Sequence, residues 1–117
     1  MDEPILDRIL LDMGHSDFDI GTKYLRAAVA AYVALAGDVR VTKDVYPAVA
    51  VRFRSTPARV ERNIRHSIGK AWKLCPVELR RQFFGAAWAE SPAAPSNGCY
   101  IARLAAMAAR EGDAHED

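Results

Sequence analysis

The chain has 117 residues, 50% of them hydrophobic and 26% charged, with a formal net charge of +1. That length suits one ordinary domain and that composition a soluble globular one. That composition excludes a chain that is as a whole a disordered charged segment, and no window approaches the roughly 18 uninterrupted apolar residues of a membrane span.

The acidic N-terminus, Met-Asp-Glu-Pro, runs straight into a helical pattern and is not a secretory signal. Ile5, Leu6, Ile9, Leu10 and Met13 repeat at helical spacing until Gly14 stops them, and a polar link, His15 to Asp19, follows. A second helix is expected from Ile20 to Ala36, with Tyr24, Leu25, Ala28, Tyr32 and Leu35 on one side and Gly37 as a left-handed C-cap. Thr42 is expected to cap a third helix ending near Phe53, with Pro47 offsetting its first turn. Thr56-Pro57 is a strong N-cap and first-turn pair for a long helix to about Lys73. Pro76 opens a short helix ending at Gly85, and Ser96 or Asn97 opens a last one through about Arg110. Strand signals are thin, so the expectation is an all-α, compact six-helix domain. Residues 1–19 form an acidic helix and link, 20–110 the main domain, and 111–117 a disordered acidic tail.

Charge is divided unevenly along the chain. Arg40 to Arg81 holds eleven Lys/Arg against three acids, a net +8, whereas the rest holds five basic and twelve acidic residues, a net −7. A concentrated positive face attracts a polyanion even when total charge is near zero. The acidic first helix is expected to pack on the body or on a second subunit and to screen that face.

Residues Val49 to Ile64, VAVRFRSTPARVERNI, fit a helix-turn-helix. Such a motif needs a small residue where two helices cross, an apolar residue three positions on, a turn with a cap, and an apolar anchor in the second helix. Ala50, Phe53, Thr56 and Val60 fill those places, although Arg54 stands where glycine is frequent and Ser55 where an apolar residue is. In the second helix Val60, Ile64, Ser67, Ile68 and Ala71 share a core-facing side, and Arg59, Arg62, Asn63, His66, Lys70 and Lys73 the opposite one. Arginine donates bidentately to guanine and glutamate accepts from cytosine, whereas lysine suits phosphate. The expected base contacts are therefore Arg59, Glu61, Arg62, Arg65 and His66. Lys43, Arg54, Ser55, Thr56, Lys70 and Lys73 are the expected phosphate contacts.

Other classes fit less well. His66 lacks a Ser or Cys partner in motif context, Glu61 lacks a second carboxylate at helical spacing, and no Gly-rich phosphate loop exists, so the chain does not read as an enzyme. Cys75 and Cys99 lack CxxC spacing, and with three histidines no metal or cofactor site is legible. Free thiols in a reducing, cytoplasmic setting are expected. Phe53 and Trp72 face the core, which leaves no aromatic pair to stack unpaired RNA bases. The alternative from another class is a helical interaction module whose basic face takes an acidic partner. The Ala-rich last helix would then be a dimer seam instead of core.

Tyr24-Leu-Arg-Ala-Ala-Val-Ala, Val41-Thr-Lys with Tyr46-Pro47, and above all Thr56-Pro-Ala-Arg-Val-Glu-Arg-Asn-Ile-Arg-His-Ser-Ile resemble the C-terminal effector domain of the master sporulation response regulator, the stage zero sporulation protein A family. The resemblance runs from about Ile20 to Met107, with Ala71-Trp72, Phe84-Gly85 and Pro95-Ser96-Asn97 at matching separations. It implies a six-helix domain that binds a short double-stranded DNA box as tandem copies, regulates transcription and reads bases with Arg59, Glu61, Arg62, Arg65 and His66. It also implies contact with a sigma subunit of RNA polymerase through roughly Leu74 to Trp88. There this sequence departs from the family's more polar stretch, and Arg80 and Arg81 are expected to serve a phosphate or an acidic partner instead. Residues 1–19 are too few for the family's receiver, so an excised effector domain and a stand-alone relative both stay open.

Overall fold

Helix α1, Glu3–Asp12, exists because its apolar residues recur every three or four positions and find a core: Ile5, Leu6, Ile9, Leu10 and, just beyond it, Met13 are buried. The computed structural model describes the backbone of residues 3–116 and the side chains of residues 4–110. Of the expected disordered tail, 111–117, the backbone of 111–116 is helical and continues the last helix, while Asp117 lies outside the described residues. Gly14 ends the first run at φ +97, and the Asp19 carboxylate caps α2, Ile20–Leu35, by accepting from the Gly21 N–H at 3.1 Å. In α2 the expected stripe is buried at Tyr24, Leu25 and Ala28, half-buried at Tyr32 and open at Leu35.

The next element differs from expectation at its start. Thr42 does not cap a helix; it lies inside a π-helical turn, Val41–Val45, where the Asp44 carboxylate accepts from the Arg40 N–H at 2.8 Å. The wider turn shifts α3, Tyr46–Phe53, so that Pro47 falls in its first turn, where a missing N–H costs nothing. Helix α4, Pro57–Leu74, is the longest element whose side chains are all described, and it packs against α2, α3 and α7. Then come α5, Val77–Phe84, a break at Gly85 with φ +94, and a one-turn α6, Ala86–Ala89. The last helix, α7, is Asn97–Glu116, and the Ser96 hydroxyl caps it by accepting from the Cys99 N–H at 3.2 Å. The fold is all-α with a helix-turn-helix, as expected; α6 is added to the six expected helices because the chain resumes helical winding directly after Gly85.

Two features fix where α4 sits. A side chain at Gly21 would meet the Asn63 carbonyl and come within 2.7 Å of the Ser67 Cβ, so only glycine lets α2 approach the back of α4 this closely. At the far end Trp72 meets Phe84 and Trp88 edge-on at 5.5 and 6.4 Å, and Phe84 stacks on Tyr100 at 5.1 Å. The last helix is core: Tyr100, Ile101, Leu104, Ala105, Met107 and Ala108 are buried, while Ala106 and Ala109 face out.

Candidate nucleic-acid interface

The turn between α3 and α4 is closed by backbone alone. Arg54 takes the left-handed conformation (φ 52, ψ 46), its N–H reaches the Val51 carbonyl at 3.3 Å, and the Ser55 N–H reaches the Ala50 carbonyl at 2.8 Å. This is the paired 5→2 and 6→1 bonding of a Schellman cap, with arginine in the place that glycine usually takes. The backbone carries the cost of about 1 kcal/mol that a side chain adds in this region, and the Arg54 side chain is exposed. Ser55 differs from its expected role: its hydroxyl is shut away from solvent without a hydrogen-bond partner, so this residue serves the turn through its backbone. Thr56 then caps α4, its hydroxyl accepting from the Arg59 N–H at 3.2 Å.

From that cap the helix sorts its side chains by angle. At about 100° per residue, Val60, Ile64, Ser67, Ile68 and Ala71 fall together, and all five are buried. Arg59, Arg62, His66, Lys70 and Lys73 fall within a stripe about 80° wide on the other side, and all five are exposed. Asn63 lies at the stripe's edge and spends its amide on the Arg59 carbonyl, 2.8 Å away. Lys43, in the π-helical turn, is exposed as well. Arg62, Arg65, His66, Gly69, Lys70 and Lys73 frame a shallow concavity of about 340 Å³.

Each flank of this stripe brings a carboxylate to it. On one flank Asp19 of the link approaches Lys70, carboxylate to ammonium at 3.4 Å, so the acidic N-terminal region touches the basic face at one named point. On the other flank Glu61 and Arg65 turn toward each other as an i,i+4 ion pair. There they line a groove of about 750 Å³ with Thr42, Tyr46, Pro57 and Asn97. The Asn97 amide donates to the Tyr46 hydroxyl at 2.9 Å and to the Glu61 carbonyl at 3.0 Å, tying the start of α7 to α4, and burial pushes the Tyr46 phenol above its usual pKa. In the sequence Asn97 shows as a helix-entrance residue and as part of Pro95-Ser96-Asn97, neither of which reveals its distant partners Tyr46 and Glu61.

Arg80 corrects an expectation. It is not offered to a phosphate or an acidic partner. Its guanidinium lies 4.7 Å over the Trp72 ring and donates to the carbonyls of Trp72, of Ala89 at 3.3 Å and of Ser91 at 3.4 Å, locking α4 to the 85–91 bend. Arg81 remains exposed. Both cysteines are free thiols, Cys75 buried and Cys99 exposed. Among the described residues no cluster of His, Cys, Asp and Glu is placed to hold a metal, and no helix is long and apolar enough to cross a membrane.

The family described as sporulation initiation factor Spo0A C terminal matches residues 6–107, nearly the whole chain. It is a family of helical, DNA-binding domains that regulate transcription, and it is not an enzyme class. The chain therefore belongs to the Spo0A C-terminal family and is a DNA-binding effector domain of the sporulation response regulator kind.

Proposed function

We propose that the chain is a sequence-specific regulator of transcription that lays α4 in the major groove of double-stranded DNA. The observation that carries this reading is the division of α4 itself. A fully buried apolar side holds the helix, while Arg59, Arg62, His66, Lys70 and Lys73 stand exposed on one stripe. Arg59, Arg62 and His66, in the first turns after the Thr56 cap, face base edges, where arginine's fork matches guanine O6 and N7. Glu61 and Arg65 enter as a pair from the groove side, each able to exchange its partner for a base once DNA arrives. Arg54, Lys43, Thr56, Lys70 and Lys73 meet phosphates. An arginine kept at a left-handed position supports this, because the strain is tolerated where a side chain has work to do. Two copies on adjacent boxes and a sigma-subunit contact on the exposed side of α5, around Val77, Arg81 and Gln82, complete the proposed assembly.

Fluorescence anisotropy with a duplex of tandem family boxes and a scrambled duplex, over a salt series, tests the reading. Preference for the boxes that weakens steeply with salt supports it. Equal binding to both reduces α4 to a phosphate-clinging helix. No binding at low salt transfers the basic stripe to an acidic protein partner.

A further inference from the structure

Behind the basic stripe lies a buried polar cluster that the DNA-binding reading leaves unused. His15 is 3% exposed, Thr22 0%, Ser67 2% and Tyr100 1%, and they come from the link, α2, α4 and α7. The His15 Nδ1 lies 3.0 Å from the Ser67 Oγ, its Nε2 lies 2.8 Å from the Tyr100 hydroxyl, and the Thr22 hydroxyl lies 3.3 Å from that of Ser67. We propose that His15 is a positioning residue for DNA recognition: by bridging Ser67 and Tyr100 it fixes the rotation of α4 about its own axis. The proposal rests on the reading of α4 as the helix that enters the groove.

The physical need is specific. Directional bonds hold the two ends of α4, from the Asn97 amide to the Glu61 carbonyl and from the Trp72 indole N–H to the Ser91 carbonyl. Between them the buried stripe is aliphatic apart from Ser67, and apolar burial is non-directional, so over that middle stretch it holds the helix down while resisting a small roll weakly. A roll of about 15° moves a group at the ~5–6 Å outer radius of a helix by about 1.5 Å, enough to break a bidentate contact with a base edge. Hydrogen bonds are directional and strengthen one another in a dry site. Ser67 follows His66 directly and precedes Lys70 by three residues, so anchoring its hydroxyl sets the bearing of the stripe. The Gly21 crossing brings the helices close enough for Thr22 to join from α2. The imidazole suits the bridge because its neutral form has one N–H donor and one acceptor nitrogen, with an oxygen facing each. Burial holds its pKa down at about 4, with nearby Asp19 pulling the other way, so the ring is neutral around pH 7.

The test uses the full chain, a duplex selected from a random pool by the wild-type protein, and a scrambled duplex. Two readouts are taken: the affinity ratio between the duplexes, and amide hydrogen exchange of Val60–Ala71 without DNA. Tyr100→Phe removes one oxygen atom and His15→Phe removes both bridges. Both variants are expected to bind scrambled DNA as the wild type does, with the same salt slope, and to lose about tenfold in the ratio, or 1.4 kcal/mol. Exchange over Val60–Ala71 is expected to quicken, and His15→Gln to restore much of the ratio. Unchanged ratio and exchange in Tyr100→Phe overturn the proposal, as does an equal loss on both duplexes, which marks general destabilisation. Should His15→Phe fail to fold, Tyr100→Phe decides alone. If the wild type selects no duplex, the DNA reading fails and the positioning role falls with it, even if exchange still quickens in the variants. A selected duplex with an unmoved ratio overturns the positioning role alone.

Discussion

The inward and outward faces of α4 share one backbone and one cap, yet nearly every physical property differs between them. Inward, Val60 and Ile64 are fully buried, the Ser67 hydroxyl is bonded on two sides, and the indole N–H of buried Trp72 donates to the Ser91 carbonyl at 2.9 Å. Outward, the basic residues stand in water, and the Asp19 carboxylate reaches Lys70 from the link before α2. Four cations (Arg59, Arg62, Lys70 and Lys73) on one stripe of a helix repel one another and contribute little to folding. The stability of α4 comes from its back, and the front is thereby left free to be chosen by a ligand. Arg62 and Arg80 make the same point in one pair. Both belong to the basic middle of the sequence, but Arg62 is exposed beside the concavity while Arg80 is spent on Trp72 and the carbonyls of the neighbouring bend. Charge density in a sequence therefore marks a face only after the structural cations have been removed from it.

The largest effect should come from violating the inward face. Val60→Asp places an unpaired carboxylate where 0% of the residue is exposed, and a loss of about 3–5 kcal/mol is expected, most of what a domain of this size has. Circular dichroism should show no cooperative thermal transition; a wild-type melting curve would mean that α4 does not pack on this side.

Next comes acid. The folded-state pKa of His15 is held down at about 4, from 6.5, chiefly by burial. The unfolded chain therefore takes up a proton, as pH falls below 6.5, that the folded chain refuses. Stability is complete above that value and is lost as pH falls toward 4, by about 3 kcal/mol. His15→Gln should lack this component. Urea midpoints of the two proteins from pH 7.5 to 4 check it, and parallel curves would show that the buried ring does not control the acid limb.

On the outward face the effects move to affinity. Arg62→Ala should leave stability within about 0.5 kcal/mol and cost about 1–3 kcal/mol on the preferred duplex, whereas Lys73→Ala should weaken all sequences alike and lower the salt slope by about one. Identical behaviour of the two would erase the division between base-reading and phosphate contacts. The smallest and sharpest case is Arg54→Gly. Relief of the left-handed backbone should raise stability by up to about 1 kcal/mol while DNA affinity falls. Melting temperature and anisotropy should thus move in opposite senses, and a joint fall would mean that the Arg54 side chain supports the fold.

What the sequence made legible was local. The Thr56-Pro57 cap, the 3.6-residue alternation of α4 and the Ala50–Val60 spacing each depend on neighbours within a few turns, and each stands in the structure as read. The π-helical turn before α3 was hidden because the Asp44 bond to the Arg40 N–H competes with Thr42 capping, and both residues suit the role. Arg80 was misread because its partners are carbonyls, which no composition count reveals. His15 looked like one polar residue in a link; Ser67 is 52 positions away and Tyr100 85, and only packing brings the three together. The Glu61–Arg65 pair was visible as spacing, but the groove beside it is built from the distant Thr42, Tyr46 and Asn97.

If α4 enters the groove, its exposed stripe is the surface that meets DNA. Amide and arginine side-chain NMR shifts followed during titration with the preferred duplex test it most directly. The largest shifts are expected on Arg54, Thr56, Arg59, Arg62, His66 and Lys70, with Arg80 unmoved. Largest shifts on α5, α6 or the exposed side of α7, with the α4 stripe silent, would contradict it.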